Sequence, residues 1–287
     1  SKPVASAAHF ARHEFRLLHS LRPVWPSLLV DLSASLAAWP LITDPWFYVV
    51  AIPAIFMMGL AKSGLASGFG PLAVPVLALA VPVPQAVAIM LPLMLVMDGV
   101  GIRALYAQRD PALVRVLLPA GLVGTAIGTL SFSLLDTRTV AAIVGGLTLL
   151  FLAQQLLFPP QRQAPLPPRW LGPLMGMAGG FTSFVSHAGG PPVNAYLLPQ
   201  RLTPIAFAAT SATFFAVVNL SKWGPYAWLG LIDWRNMATA AVLLPLAPLG
   251  VWVGVRWLPH TPPELFYRLV HAGMLLTGIK LLWDGLR

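Results

Sequence analysis

The 287 residues contain no cysteine, which excludes disulfides, thiolate metal sites and cysteine nucleophiles. Acids are nearly as scarce, with nine Asp and Glu in all and only Glu14 and Glu264 as glutamates. No HExxH, GxSxG or Walker A pattern occurs, so the chain is not expected to be an enzyme, to hold a cofactor or metal, or to act alone as a nucleotide-driven pump. Charged residues make up 9% and hydrophobic residues 57%, leaving too little polar surface to solvate a globule of this size. Strand-period alternation is missing as well, which argues against a membrane β-barrel.

Long apolar runs are abundant instead, and they recur from about residue 46 to the C-terminus. A helix needs roughly 20 residues to cross a hydrocarbon core about 30 Å thick. Runs of that order occupy 46–62 with 71–82, 85–107, 112–133, 138–158, 170–187 with 190–199, 203–223, 236–256 and 264–284. The pattern predicts an all-α polytopic membrane bundle of about eight transmembrane helices. The 29 prolines and 24 glycines are tolerated there, provided neighbours satisfy the backbone groups they free, and they mark packing and breaks.

The formal net charge is +9, but the cations are dispersed at span ends, so a membrane-flanking role is expected and a nucleic-acid partner is not. Residues 1–45 read as an extension, either cytoplasmic and partly amphipathic at the interface or a disordered leader. Asp31 and Pro40 interrupt its apolar stretch, so a cleaved signal peptide is not expected. Arg103, Arg109, Arg115, Arg162, Arg169, Lys222, Arg235, Lys280 and Arg287 cluster at alternate connections. With eight crossings this bias places both termini in the cytoplasm of a multi-pass membrane protein. Lys222 is expected at the interface.

A Pro-rich linker at 159–169 separates two similar halves, a first transmembrane repeat at 46–158 and a second at 170–287. "PQAVAI" at 84–89 parallels "PIAFAA" at 204–209, and "LLPAGLVGTAIG" at 117–128 parallels "LLPLAPLGVWVG" at 243–254. A duplicated four-helix unit is the simplest account, a design recurrent in secondary transporters. Four crossings per unit make the repeats parallel. If 46–82 and 170–199 each enter and leave on one side, three crossings remain and the repeats invert. Charge bias favours the parallel arrangement.

Each half opens with a glycine-rich break, "GLAKSGLASGFG" at 59–70 and "GGFTSFVSHAGG" at 179–190. Paired interruptions point to a transporter's binding site, because a broken helix frees N–H groups and its dipole faces an anion. Gly64, Gly68, Gly70, Gly189 and Gly190 allow close backbone approach, and Ser63, Ser67, Thr182, Ser183, Ser186 and Asn194 offer hydrogen bonds. Lys62 either faces a cavity, a counter-ion or an anion, since a lysine at depth costs at least about 2.5 kcal/mol, or snorkels to the interface. His187 is either a structural hydrogen-bonder or a substrate or proton group. Asp98 needs a partner, with Lys62 and Arg103 the candidates for a charge or coupling pair. Gly124, Gly128, Gly250 and Gly254 read as helix-packing surfaces.

The paired breaks, "PQAVAIMLPLMLVMDGVGIRALY" and the duplicated LLPxxxxGxxxG spans resemble the TauE/SafE sulfite exporter family, the toluene sulfonate uptake permeases, over about residues 44–287. The resemblance implies a plasma-membrane secondary carrier for sulfite, sulfoacetate or other organosulfonates. Its first glycine motif falls on Gly59, Lys62, Gly64, Gly68 and Gly70, and its second on Gly179, Gly180, Gly189, Gly190 and Pro191. Ser63, Ala66 and Ser67 depart from its denser glycine run. The partners expected are a small anion and the lipid bilayer, with homo-oligomer formation left open. A passive anion channel and a non-transporting scaffold subunit are the alternatives.

Overall fold

The computed structural model describes residues 41–62, 70–158, 165–257 and 263–287. Every regular element among them is helical, so the fold is the polytopic helical membrane bundle expected. The first half contains α1 (Pro45–Lys62), α2 (Gly70–Leu77), α3 (Val83–Leu105), α4 (Pro111–Leu134) and α5 (Thr137–Leu157). The second contains α6 (Leu171–Ser186), α7 (Gly190–Leu197), α8 (Pro204–Ser221), α9 (Trp223–Trp228), α10 (Trp234–Leu243), α11 (Leu246–Trp257) and α12 (Pro263–Leu286). By length and composition Pro45–Lys62, Pro111–Leu134, Thr137–Leu157 and Pro204–Trp228 each suffice to cross a membrane, and α10 with α11, bent by 42°, makes a fifth such unit.

Several of the scarce acids serve as helix N-caps. Asp110 accepts from the backbone N–H groups of Ala112 and Leu113, Asp136 from Thr139, and Asp233 from Asn236, each satisfying orphan donors of a first turn. Pro111 follows Asp110 at the first helical position, where its missing N–H costs nothing. These caps fix where the chain turns back at the membrane surface.

The broken helices fold back on themselves. A Cβ on Gly172 would meet the Tyr196 ring and one on Gly179 would meet Val193, so α7 runs antiparallel along α6. In the first half Ile42 N–H donates to Thr239 Oγ1 and Gln85 donates to Asn236 Oδ1. Thr239 and Asn236 lie one turn apart on α10, so the start of α1 and the start of α3 emerge at the same face. Both breaks are therefore re-entrant hairpins. Among the described residues the remaining helices long and apolar enough to traverse are α4, α5, α8 with α9, and α10 with α11.

This decides the relation between the halves. Helices α3 and α8 occupy corresponding positions in the two halves, and Asp98 meets Asn219 while the Asp110 N–H meets Thr210 Oγ1, an antiparallel pairing. The corresponding α5 and α12 also run antiparallel, Gln155 touching His271 and Gly145 packing on Leu282. Corresponding helices of parallel repeats would run the same way. The repeats are inverted, contrary to the arrangement that charge bias favoured, because each first helix turns back and does not cross.

Glycines hold the halves together. A Cβ on Gly124 would run into the carbonyl oxygen of Met177, one on Gly180 into that of Gly121, and one on Gly128 into the Phe184 ring. Helix α4 is thereby held against α6 at backbone contact. Gly250 makes the reciprocal contact of α11 with α1, at Phe56 O and Gly59. The LLPxxxxGxxxG glycines at 124, 128 and 250 thus do the packing expected of them.

Candidate functional site

The two hairpin tips carry the chemistry. Helix α1 ends at Lys62, whose ammonium forms an ion pair with Asp98 of α3. The aspartate side chain is 2% exposed and the lysine side chain 17%, so the carboxylate is shut away while the cation keeps an open side. The Phe215 ring, its centroid 5.4 Å from Nζ, contributes a favourable face to the same ammonium.

Asp98 has a second partner. Asn219 of α8 donates from Nδ2 to Asp98 Oδ2 at 2.6 Å, and Asn219 Oδ1 accepts from Lys222 Nζ at 2.8 Å. Lys222 is completely buried, not interfacial as its position near a helix end suggested. Helix α9 follows it directly and carries the span on, so Lys222 stays at depth. Its ammonium also reaches Ser183 O at 2.6 Å, Ser183 Oγ at 2.8 Å and His187 Nδ1 at 3.0 Å. Four acceptors therefore surround the ammonium.

His187 closes the second hairpin in the left-handed region, φ 53°, a conformation costing a non-glycine residue about 1 kcal/mol. Its Nε2 lies 2.9 Å from the Val87 carbonyl oxygen, which only accepts. Nε2 therefore carries the proton, and Nδ1 of the neutral ring is free to accept from Lys222. The result is one continuous polar chain, Lys62–Asp98–Asn219–Lys222–His187, joining the tips of hairpins that enter from opposite faces.

A cavity of about 150 Å³ lies beside this chain. Lys62, Gly70, His187, Gly190 and Asn194 line it together with Ser211 and Phe215 of α8, and Leu105 and Phe207 line it toward the face that carries residues 106–110. Gly70 and Gly190 are the first residues of the eight-residue helices α2 and α7, so both half-helix N-termini reach the same cavity as the lysine.

The other sequence-expected residues divide. Ser183 is buried behind His187 and bonded to Lys222. Thr182 and Ser186 are buried and return their hydroxyls to the α6 backbone at Ala178 O and Thr182 O. Gly189 packs against Gly179 O and the Phe215 ring, a close-approach role. Arg103 is exposed, and Asp98 takes Lys62 in its place. Ser63, Gly64, Ser67 and Gly68 lie outside the described residues. Asn219 and Lys222 were missed as site residues, although their i, i+3 spacing on the helix matching that of Asp98 was a usable signal.

A family model, sulfite exporter TauE/SafE, matches residues 51–281. The chain belongs to the TauE/SafE family, a family of membrane sulfite exporters, and is a multi-pass membrane protein. No curated protein matches the chain, and no solved structure does.

Proposed function

We propose that the chain is a secondary transporter that moves a small sulfur-containing anion, sulfite or an organosulfonate such as sulfoacetate, across the bacterial inner membrane by alternating access. The observation that carries this reading is the convergence of Lys62 and two half-helix N-termini, at Gly70 and Gly190, on one cavity of about 150 Å³. A tetrahedral or pyramidal oxyanion offers several acceptor oxygens to an ammonium, the Asn194 amide and the backbone N–H groups of Gly70 and Gly190, while Pro71, Pro191 and Pro192 that follow them have none to give. Inverted repeats with discontinuous helices at the site support a carrier. What favours a carrier over a passive channel is that the cavity lining includes His187 but not the fully buried Lys222 behind it.

Inverted halves also change the reading of orientation. Arg103, Arg109, Arg115, Arg169, Arg201, Arg256 and Arg268 fall near one face, and Arg138, Arg235, Lys280 and Arg287 near the other, which also carries Asp44, Asp136, Asp233 and Asp284. The positive-inside rule then puts the 106–110 face in the cytoplasm and the start of α1 and Arg287 outside, the reverse of the eight-crossing expectation. The cavity in this orientation opens inward, the state that loads an exported anion.

Flux into and out of proteoliposomes, measured for sulfite, sulfoacetate, methanesulfonate, sulfate, acetate and chloride with and without a pH gradient, tests the proposal. Saturable counterflow of a sulfur oxyanion is expected. Flux that neither saturates nor shows counterflow would support the channel, and no flux for any anion would overturn transport.

A further inference from the structure

Lys222 has no part in the cavity, yet it is completely buried, with no carboxylate among the described residues in direct contact. Asp98, the carboxylate nearest along the polar chain, is already engaged by Lys62 and reaches Lys222 only through the Asn219 amide. An intramembrane cation is costly and is retained where a counter-charge arrives or a path runs. His187 separates Lys222 from the cavity: it lines the cavity while its Nδ1 accepts a hydrogen bond from Lys222. The backbone that holds the ring is in the left-handed region, and both ring nitrogens are engaged. Among the described residues the ring's hydrogen-bond partners are only the Val87 carbonyl and Lys222, so turning it costs those two hydrogen bonds.

We propose that Lys222, with Ser183, is a second anion station on the transport path, and that His187 is the gate between it and the first station at Lys62. This rests on the transporter reading given above and adds a site to it. When the ring turns away, Lys222 exchanges the His187 Nδ1 contact for an anion oxygen, and Ser183 Oγ is free to donate to the same anion. The anion then passes from the Lys62 ammonium to the Lys222 ammonium across the place the His187 ring has left.

The natural absence of cysteine supplies the test, because a single introduced thiol is the only one in the protein. Ser211→Cys places it in the cavity and Ser183→Cys behind His187. The probe is 2-sulfonatoethyl methanethiosulfonate, an anionic thiol reagent, applied to either face of sealed proteoliposomes with methanesulfonate as competitor. Both thiols are expected to be modified and both protected by methanesulfonate. Adding Lys222→Met is expected to slow modification at position 183 by about tenfold, the lower end of the effect of a focusing charge on local anion encounter. Modification and protection at 211 with none at 183, or a rate at 183 unchanged by Lys222→Met, would overturn the second station alone. Loss of protection at 211 would overturn the anion reading of the cavity and the station with it. If Ser183→Cys does not yield folded protein, Lys222→Met and Lys222→Arg in the Ser211→Cys background take its place. Flux lost with Met and partly recovered with Arg, with protection at 211 retained, supports the station, and full flux with Met overturns it.

Discussion

Asn219 and Asp98, side chains on corresponding helices of the two halves, are joined by a buried hydrogen bond of 2.6 Å. The pair lies where α3 and α8 cross, and through it a hairpin entering from one face is wired to the hairpin entering from the other. An amide suits this place because it donates to the carboxylate and accepts from Lys222 at once. A leucine of similar volume does neither.

Asn219→Leu is therefore expected to destabilise the protein in detergent by about 2–4 kcal/mol, since it leaves a buried carboxylate oxygen and a buried ammonium each short of a partner. Thermal unfolding followed by intrinsic fluorescence measures the loss. An unchanged midpoint would show that the polar chain is not coupled through this residue.

Lys62 has two roles that double substitution separates. Lys62→Ala leaves Asp98 buried without its ammonium, a loss of the kind that costs about 3–5 kcal/mol, and removes the cation from the cavity. Adding Asp98→Asn is expected to restore most of the stability and none of the transport, with flux of the preferred anion down at least about tenfold. Full flux in the double variant would remove Lys62 from the binding site.

Packing glycines give a prediction with an internal control. Gly124→Leu drives a side chain into the backbone of α6 at Met177 and Phe181, contacts that no rotamer relieves, and should prevent assembly of a stable bundle. Gly146→Ala meets nothing within 4 Å, and should be neutral or slightly stabilising because alanine is the better helix former. Yield of monodisperse protein after purification distinguishes them.

The membrane class, the helical bundle and the paired breaks were legible because each is written in local pattern: apolar runs near the length of a bilayer and glycine clusters at matching places. Lys62 and Asp98 were legible as a candidate pair because isolated charges in apolar runs must find each other. Lys222 was not, since a lysine near the end of α8 reads as interfacial unless α9 is known to extend the span inward from it. Repeat orientation was not legible either. Whether "GGFTSFVSHAGG" bends or reverses depends on contacts such as Gly172 with Tyr196, far apart in sequence and silent in local pattern.

That orientation is open to a direct chemical check, again because the chain has no cysteine of its own. Gln155 lies near the end of α5 and His271 in the first half of α12, with His271 Nε2 3.2 Å from Gln155 Oε1. In the inverted arrangement Gln155→Cys and His271→Cys stand opposite one another, where the two native side chains meet end to end. The pair Gln155→Cys and Lys280→Cys serves as the control: nine residues farther along a helix at 1.5 Å per residue is about 13 Å, beyond bridging. Parallel halves would set α5 and α12 running in one direction and place residue 271 near the opposite end of α5. Oxidation by copper phenanthroline, read as a mobility shift reversed by reductant, is expected for the first pair and not for the second. Cross-linking of the 155–280 pair in preference to 155–271 would overturn the inversion and, with it, the assignment of the two breaks as re-entrant hairpins.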